Sequence, residues 1–312
     1  MSHIYIYNTG NLYINQPFVD FDDNVNSFYG VKKIANQIIE KAYINIKSAK
    51  VKRLHECWSH IKIARRKSTG EKKLIFANSC KVRLCPCCAW RRSRKFALEN
   101  HNMLNDINGK YIFLTITIKN VCGAELSSAL DSILNGWKRF YQRKDIKNIM
   151  LGSIRNLEIT YNRKSKTFHP HMHILIHIPT SYFGKYYISQ RKWADIWQDC
   201  AHLDYTPIID IRKVKTNSDK SYLEISKYVA KISDFLTLSE KELTEVISFL
   251  DPALCNRRII GYTGDFRTWR REHKLKDEIT DAEIISESSE DWEIFCYEWI
   301  YGKNIYKRTE NF

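Results

Sequence analysis

Residues 169–178 read HPHMHILIHI, and much about the surrounding chain follows from this pattern. Apolar and polar residues alternate, which predicts a β-strand because successive side chains of a strand point to opposite faces. One face carries Met172, Ile174, Ile176 and Ile178, and the other carries His169, His171, His173 and His177. The strand is therefore expected to bury one face in a core and to present histidines on the other.

Three more segments are predicted to be strands: 111–119 (YIFLTITIK), 153–161 (SIRNLEITY) and 206–214 (TPIIDIRKV). Helices are predicted at 31–50, 125–143, 188–200 and 219–235. From residue 105 onward the order is strand, helix, strand, strand, helix, strand, helix. This order predicts an α+β fold in which helices flank an antiparallel sheet.

The tripeptide His171-Met172-His173 predicts a metal site. Residues i and i+2 of a strand share a face, so two imidazoles converge there. Glu158 lies on the polar face of the preceding strand and is the candidate third ligand, and His169 is a further candidate. Histidine plus carboxylate suits Mn²⁺, or Mg²⁺ when substrate phosphate adds oxygens. The alternative is an exposed strand with solvated histidines.

The segment EISKYVAK (224–231) predicts a helix with Glu224 and Tyr228 one turn apart on one face, flanked by Lys227 and Lys231. A tyrosine hydroxyl, with a pKa of about 10, is a poor nucleophile unless a cation stabilises its phenolate. Glu224 could act as a base for water or for a sugar hydroxyl. Taken alone, the segment is better interpreted as an ordinary amphipathic helix with a Glu, a Tyr and two solvated Lys.

The chain has nine cysteines, and several of them cluster. Short spacings favour a tetrahedral zinc site, and the preferred ligands are Cys57, Cys80, Cys85 and Cys88. Cys87 is then spare, and His55 or His60 could replace Cys57. The basic side chains in and after the cluster are predicted to contact DNA phosphates: Arg83, Arg91, Arg92, Arg94 and Lys95.

The formal charge of +15 favours a polyanionic partner, because Lys and Arg that neutralise phosphates release condensed counterions. Basic residues crowd 51–100, whereas 277–300 holds acids and no Lys or Arg. No apolar run is long enough for a membrane span, and the first residues do not resemble a signal peptide, so the expected location is the cytoplasm.

Four regions are predicted along the chain. Residues 1–50 form an arm and a helix, and 51–104 form a Cys-rich basic module. Residues 105–267 form the domain that carries the histidines and the tyrosine. Residues 268–312 form a helical, partly acidic appendix.

These motifs together resemble rolling-circle plasmid replication initiators of the Gram-positive single-tyrosine group. The resemblance rests on FLTITIKN (113–120), LEITYN (157–162), HPHMHILI (169–176) and EISKYVAK (224–231), preceded by CKVRLCPCCAWRR (80–92). That group belongs to the HUH endonucleases, in which two histidines flank a hydrophobic residue. The resemblance covers about residues 50–267.

The resemblance implies that Tyr228 attacks single-stranded origin DNA and forms a 5′-phosphotyrosine. It implies a metal held by His171, His173 and Glu158, and Glu224 as the base for water at termination. The expected partners are plasmid origin DNA, a host helicase and a host DNA polymerase, and self-association into a homo-oligomer is compatible with this role. The alternatives are a transposase or relaxase of the same class, and a non-catalytic regulator that binds zinc and DNA.

Overall fold

The computed structural model describes residues 25–184, 186–214, 232–276, 279 and 291–310. The described residues form two compact units. One contains 25–92, 232–247, 279 and 291–310, and the other contains 93–184, 186–214 and 248–276. No helix in these ranges is long and apolar enough to cross a bilayer.

The second unit is built on a five-stranded sheet in the order β6-β3-β5-β4-β7. Every neighbouring pair in it is antiparallel. Its strands are β3 (Lys110–Thr117), β4 (Gly152–Asn162), β5 (Thr167–Ile178), β6 (Ile209–Lys213) and β7 (Ile260–Thr263). The four strands predicted from alternation are confirmed, and so is the α+β class with antiparallel sheets and helices.

The apolar face of this sheet is covered by helices. Leu114, Met172 and Ile174 are fully buried, as the alternation predicted. Aromatic side chains from the covering helices complete the core, and Phe140 stacks on Trp193 with ring centroids 5.6 Å apart. Burial of such large rings supplies much of the driving force for folding. The opposite face carries the polar side chains Glu158, His171 and His173 beside buried apolar ones: Phe113, Ile154 and Leu175.

The first unit is built on a four-stranded sheet in the order β2-β1-β8-β9. Its strands are β1 (His60–Arg66), β2 (Lys72–Ala77), β8 (Trp292–Ile300) and β9 (Ile305–Thr309). The prediction of a helical appendix over 268–312 is therefore wrong for the residues of β8 and β9, which form strands. Phe295, Tyr297 and Trp299 are buried in alternation, which is strand periodicity, and the acidic composition nearby obscured it.

The α-helices lie at α1 (Val31–Asn45), α2 (Val51–Glu56), α3 (Pro86–Asp106), α4 (Leu126–Gln142), α5 (Lys144–Lys147), α6 (Gln190–Ala201), α7 (Ile232–Phe235), α8 (Glu240–Leu254) and α9 (Gly264–Glu272). The helices predicted at 31–50, 125–143 and 188–200 are confirmed as α1, α4 and α6. Of the helix predicted at 219–235, only α7 lies within the described residues.

Candidate metal centres

The first candidate centre, called here the histidine cluster, consists of Glu158, His171 and His173. In the antiparallel pairing of β4 and β5, Glu158 stands opposite His171. Glu158 Oε2 lies 3.2 Å from His173 Nε2 and 3.6 Å from His171 Nε2. One potential ligand atom from each residue lies within 4.8 Å of the other two. The structure thus brings together two strand neighbours and a carboxylate from the next strand.

The outer nitrogens of both imidazoles are also engaged. Nδ1 of His171 lies 3.2 Å from the carbonyl oxygen of His169. Nδ1 of His173 lies 3.1 Å from the hydroxyl oxygen of Thr115. Contacts of this kind orient an imidazole so that its other nitrogen can bind a metal. The ring of His169 stacks on that of His171 at 5.3 Å, and His169 is not one of the three clustered ligands.

The electrostatics of the histidine cluster suit a cation. Glu158 is only 3% exposed. Burial alone would raise the pKa of its carboxyl group, but interactions with His171 and His173 outweigh burial and hold that pKa well below its usual range. Ligands about 2.1 Å from a metal lie roughly 3 to 3.5 Å apart, close to the observed separations. The residues therefore fit a divalent cation bound by two imidazoles and one carboxylate.

The second candidate centre, called here the cysteine cluster, consists of Cys57, Cys80, Cys85 and Cys88. All four side chains are buried. Cys57 Sγ lies 3.5 Å from Cys85 Sγ and 3.6 Å from Cys88 Sγ, and Cys80 Sγ also lies 3.6 Å from Cys88 Sγ. Four sulfurs around zinc, each at about 2.3 Å, would lie roughly 3.8 Å apart. The geometry fits a tetrahedral thiolate site.

The alternative ligands considered from the sequence have other hydrogen-bond partners. Cys87 Sγ donates to the carbonyl oxygen of Lys32 at 3.4 Å. His55 pairs with Glu40 at 2.8 Å, and its ring stacks on Tyr301. His60 Nδ1 lies 2.9 Å from the hydroxyl of Ser59. None of the three is among the four clustered sulfur ligands.

The protonation of the thiols points to the same chemistry. Burial raises the pKa of the Cys85 thiol, and its contact with Cys57 raises that pKa further. Burial opposes ionisation of Cys57 too, but hydrogen bonds from the neighbouring thiols outweigh it and lower the pKa of Cys57. Thiolates are the species that bind zinc, so zinc would displace the protons of the four thiols.

Two residues beside the cysteine cluster were not predicted from the sequence. Lys33 is fully buried, and its Nζ donates to the carbonyl oxygens of His55 and Cys57, at 2.6 Å each. Burial lowers the pKa of Lys33, and the nearby cysteines oppose that shift. Asn36, one helical turn further on, is also buried and accepts a hydrogen bond from Cys85 Sγ at 3.0 Å. The available signal was polar residues at helical spacing on the apolar side of α1.

The predicted DNA-contacting residues differ in exposure. Arg94 is exposed, and Arg83 and Arg92 are half-buried. Arg91 is buried, at 4% exposure. Lys95 lies 3.8 Å from Glu99, which also pairs with Arg270. Arg94 is therefore the most accessible cation of this group.

The predicted nucleophile segment lies outside the described residues. This applies to all four of its proposed functional side chains: Glu224, Lys227, Tyr228 and Lys231.

Comparison with known proteins gives a consistent family assignment. The replication protein family matches residues 71–308. A Rep protein of Bacillus amyloliquefaciens is 39% identical over 268 residues, covering 78% of this chain and 79% of the relative. A Rep protein of Bacillus sp. is 40% identical over 252 residues, covering 73% and 82%.

A third relative, a Rep protein of Staphylococcus aureus, is 36% identical over 222 residues and is matched over 97% of its own length, or 69% of this chain. No solved structure shows significant similarity to the chain. The family match covers most of the chain, and the relatives come from Gram-positive bacteria. This chain therefore belongs to the replication protein family, among the Rep initiators of rolling-circle plasmids.

Proposed function

We propose that the chain starts rolling-circle replication by cutting one strand of plasmid origin DNA where that strand is unpaired. The phenolic oxygen of Tyr228 gives up its proton and attacks the scissile phosphorus, and the bond from phosphorus to the 3′ oxygen breaks. That oxygen takes up a proton and leaves as a 3′-hydroxyl, which a host polymerase extends. The DNA stays joined to Tyr228 through a 5′-phosphotyrosine. This assignment rests on the motif EISKYVAK (224–231).

The observation that carries the proposal is the geometry of the histidine cluster. A divalent cation, Mn²⁺ or Mg²⁺, would supply Lewis-acid polarisation of the scissile phosphate. Glu158, His171 and His173 would hold it, with His169 as a neighbour that stacks on His171. Three protein ligands leave coordination positions for phosphate oxygens. A histidine pair flanking Met172 on an antiparallel sheet also supports assignment to the HUH endonuclease class.

The residues around Tyr228 complete the proposed reaction. Lys227 and Lys231 flank the nucleophile and would stabilise its phenolate. Glu224 would accept a proton from water when the displaced strand is released by hydrolysis. Strand transfer to a second hydroxyl would end replication in the same way, with the hydroxyl in place of water.

The cysteine cluster would hold one structural Zn²⁺ and stabilise the fold around it. The accessible basic residues near it would contact origin phosphates: Arg83, Arg92, Arg94 and Lys95. Arg91 is buried and would support the fold instead. Such contacts position a protein on DNA without reading its sequence. A host helicase and polymerase would act with the chain in the cytoplasm, and a homo-oligomer is compatible with this role.

The deciding experiment incubates the purified chain with a single-stranded origin oligonucleotide and Mn²⁺, and looks for a covalent adduct on a denaturing gel. The wild-type chain is expected to form the adduct, and Tyr228→Phe is expected to form none while still binding duplex origin DNA. Tyr222→Phe is the matched control, because it removes a hydroxyl from the same segment and should leave the adduct intact. Adduct formation by Tyr228→Phe at the wild-type rate would overturn the assignment.

A further inference from the structure

We propose that Thr115 is a positioning residue for the histidine cluster, and that its hydroxyl lets His173 present Nε2 to a metal. The inference rests on the proposed function, because it concerns how the cluster offers its ligand atoms. It is supported by a difference between the two histidines: Nδ1 of His171 contacts a backbone carbonyl, whereas Nδ1 of His173 contacts the Thr115 hydroxyl.

The neutral imidazole of His171 is held in one tautomer. Its Nδ1 lies 3.2 Å from the carbonyl oxygen of His169, and a carbonyl can only accept a hydrogen bond. The proton of the neutral ring therefore sits on Nδ1, and Nε2 keeps its lone pair. Nε2 is 3.6 Å from Glu158 Oε2, which is too long for a hydrogen bond. The backbone thus holds His171 ready for a metal.

His173 has two competing partners. Its Nε2 lies 3.2 Å from Glu158 Oε2, and its Nδ1 lies 3.1 Å from Thr115 Oγ1. Without a metal, the proton of the neutral ring can sit on Nε2, which then donates a hydrogen bond to the Glu158 carboxylate. The Thr115 hydroxyl donates a hydrogen bond to Nδ1 in that state. With a metal on Nε2, the ring proton must sit on Nδ1, and Nδ1 then donates a hydrogen bond to Thr115 Oγ1. A hydroxyl serves both states, because it donates and accepts.

The sheet fixes this contact in place. Thr115 and His173 stand opposite each other where β3 and β5 pair. Phe113, two residues earlier, stacks on the His173 ring with centroids 5.6 Å apart. The position of Thr115 is therefore set by backbone pairing and not by a mobile side chain. Loss of its hydroxyl would leave Nδ1 of a largely buried ring without this partner.

Thr117 offers a matched control on the same strand and the same face. It stands opposite His171, but its hydroxyl donates to the carbonyl oxygen of Ile208 at 2.8 Å. Substituting valine at either position keeps the β-branched shape and removes only the hydroxyl. Thr115→Val therefore removes the hydroxyl that contacts His173, whereas Thr117→Val removes a hydroxyl that contacts no histidine of the cluster.

The test measures Mn²⁺ binding by the free-Mn²⁺ signal in electron paramagnetic resonance, with wild type, Thr115→Val, Thr115→Ser and Thr117→Val. We expect Thr115→Val to bind Mn²⁺ about 10- to 100-fold more weakly. Thr115→Ser should recover the wild-type affinity, and Thr117→Val should keep it. Pulsed measurements of nitrogen couplings to bound Mn²⁺ should show two imidazoles in wild type and a weakened second coupling in Thr115→Val.

Unchanged affinity and two equal nitrogen couplings in Thr115→Val would overturn the inference, as would an equal loss in Thr117→Val. Should valine disturb the strand, Thr115→Ala removes the same hydroxyl with less volume and carries the same expectation. A wild-type chain that binds no Mn²⁺ would overturn the metal proposal itself, together with this inference. That failure appears in the wild-type curve, whereas failure of the Thr115 role appears only between variants.

Discussion

The cysteine cluster and the histidine cluster differ in ligand number, ligand chemistry and burial. The first has four thiol ligands, all buried and all close enough to surround one ion. The second has three nitrogen and oxygen ligands, and the histidine side chains remain 11% and 16% exposed. Four soft ligands leave no position for a substrate, whereas three borderline ligands do.

The origin of each cluster also differs. The cysteine ligands come from the end of α2, a loop and the start of α3, so irregular backbone has to be held in place. The histidine ligands come from two paired strands whose register already sets their positions. Metal binding should therefore stabilise the fold at the cysteine cluster, and should serve chemistry at the histidine cluster on a preformed sheet. Four predictions test this contrast.

The largest effect is expected at the cysteine cluster. Cys57→Ser should lose the one zinc per chain expected for wild type and should unfold the surrounding residues, because structural zinc contributes on the order of 10 kcal/mol. Elemental analysis and thermal denaturation would measure both effects. Cys87→Ser is the matched control and should keep zinc, since Cys87 bonds to a backbone carbonyl outside the cluster. A wild-type chain that contains no zinc and whose cysteines are all freely titratable would contradict a structural zinc site at the cysteine cluster.

The next effect is expected at the histidine cluster. His173→Gln should reduce nicking roughly a thousandfold, corresponding to about 4 kcal/mol of transition-state stabilisation, while zinc content and folding stay unchanged. Rates of adduct formation with Mn²⁺ would measure it. His169→Gln on the same strand should cost far less. A larger loss in His169→Gln than in Glu158→Gln would mean that the third ligand has been misassigned.

A smaller effect concerns the release of the displaced strand, for which Glu224 is the proposed base. Glu224→Ala leaves the proposed nucleophile and metal ligands in place, so the tyrosine adduct should still form. Hydrolytic release of the displaced strand should fall roughly a hundredfold, because it needs a base for water. Adduct and termination product are measured on one substrate. Equal loss of both would mean that Glu224 supports the helix or adjusts Tyr228 and is not a separate base.

The smallest effect concerns DNA contacts beside the cysteine cluster. Arg94→Gln should lower the slope of log affinity against log salt by about one, because one phosphate contact is lost. Arg91 is buried, so Arg91→Gln should lower thermal stability instead. Salt-dependent binding to duplex origin DNA would measure the first effect. An unchanged slope in Arg94→Gln would exclude a phosphate contact there.

Alternation was enough to predict β5 and the strand before it, because apolar side chains such as Leu157 and Ile174 recur on one face of each. That pattern also indicated which side of β4 carries Glu158. The C-terminal strands were missed for a physical reason. β8 pairs with β1 across more than two hundred residues of sequence, and Arg65 there lies 2.6 Å from Glu293. Acids that looked like a separate tail are in part ion-pair partners of a basic strand.

The sequence by itself determined the strand periodicity, the ligand types and the family motifs, since these depend on side-chain chemistry and local spacing. Only the tertiary structure decided which atoms meet. The choice of Cys57 over His55, the burial of Lys33 and the contact of Thr115 with His173 all depend on residues distant in sequence. Local spacing constrains neighbours along the chain, but strand register and packing select among distant partners.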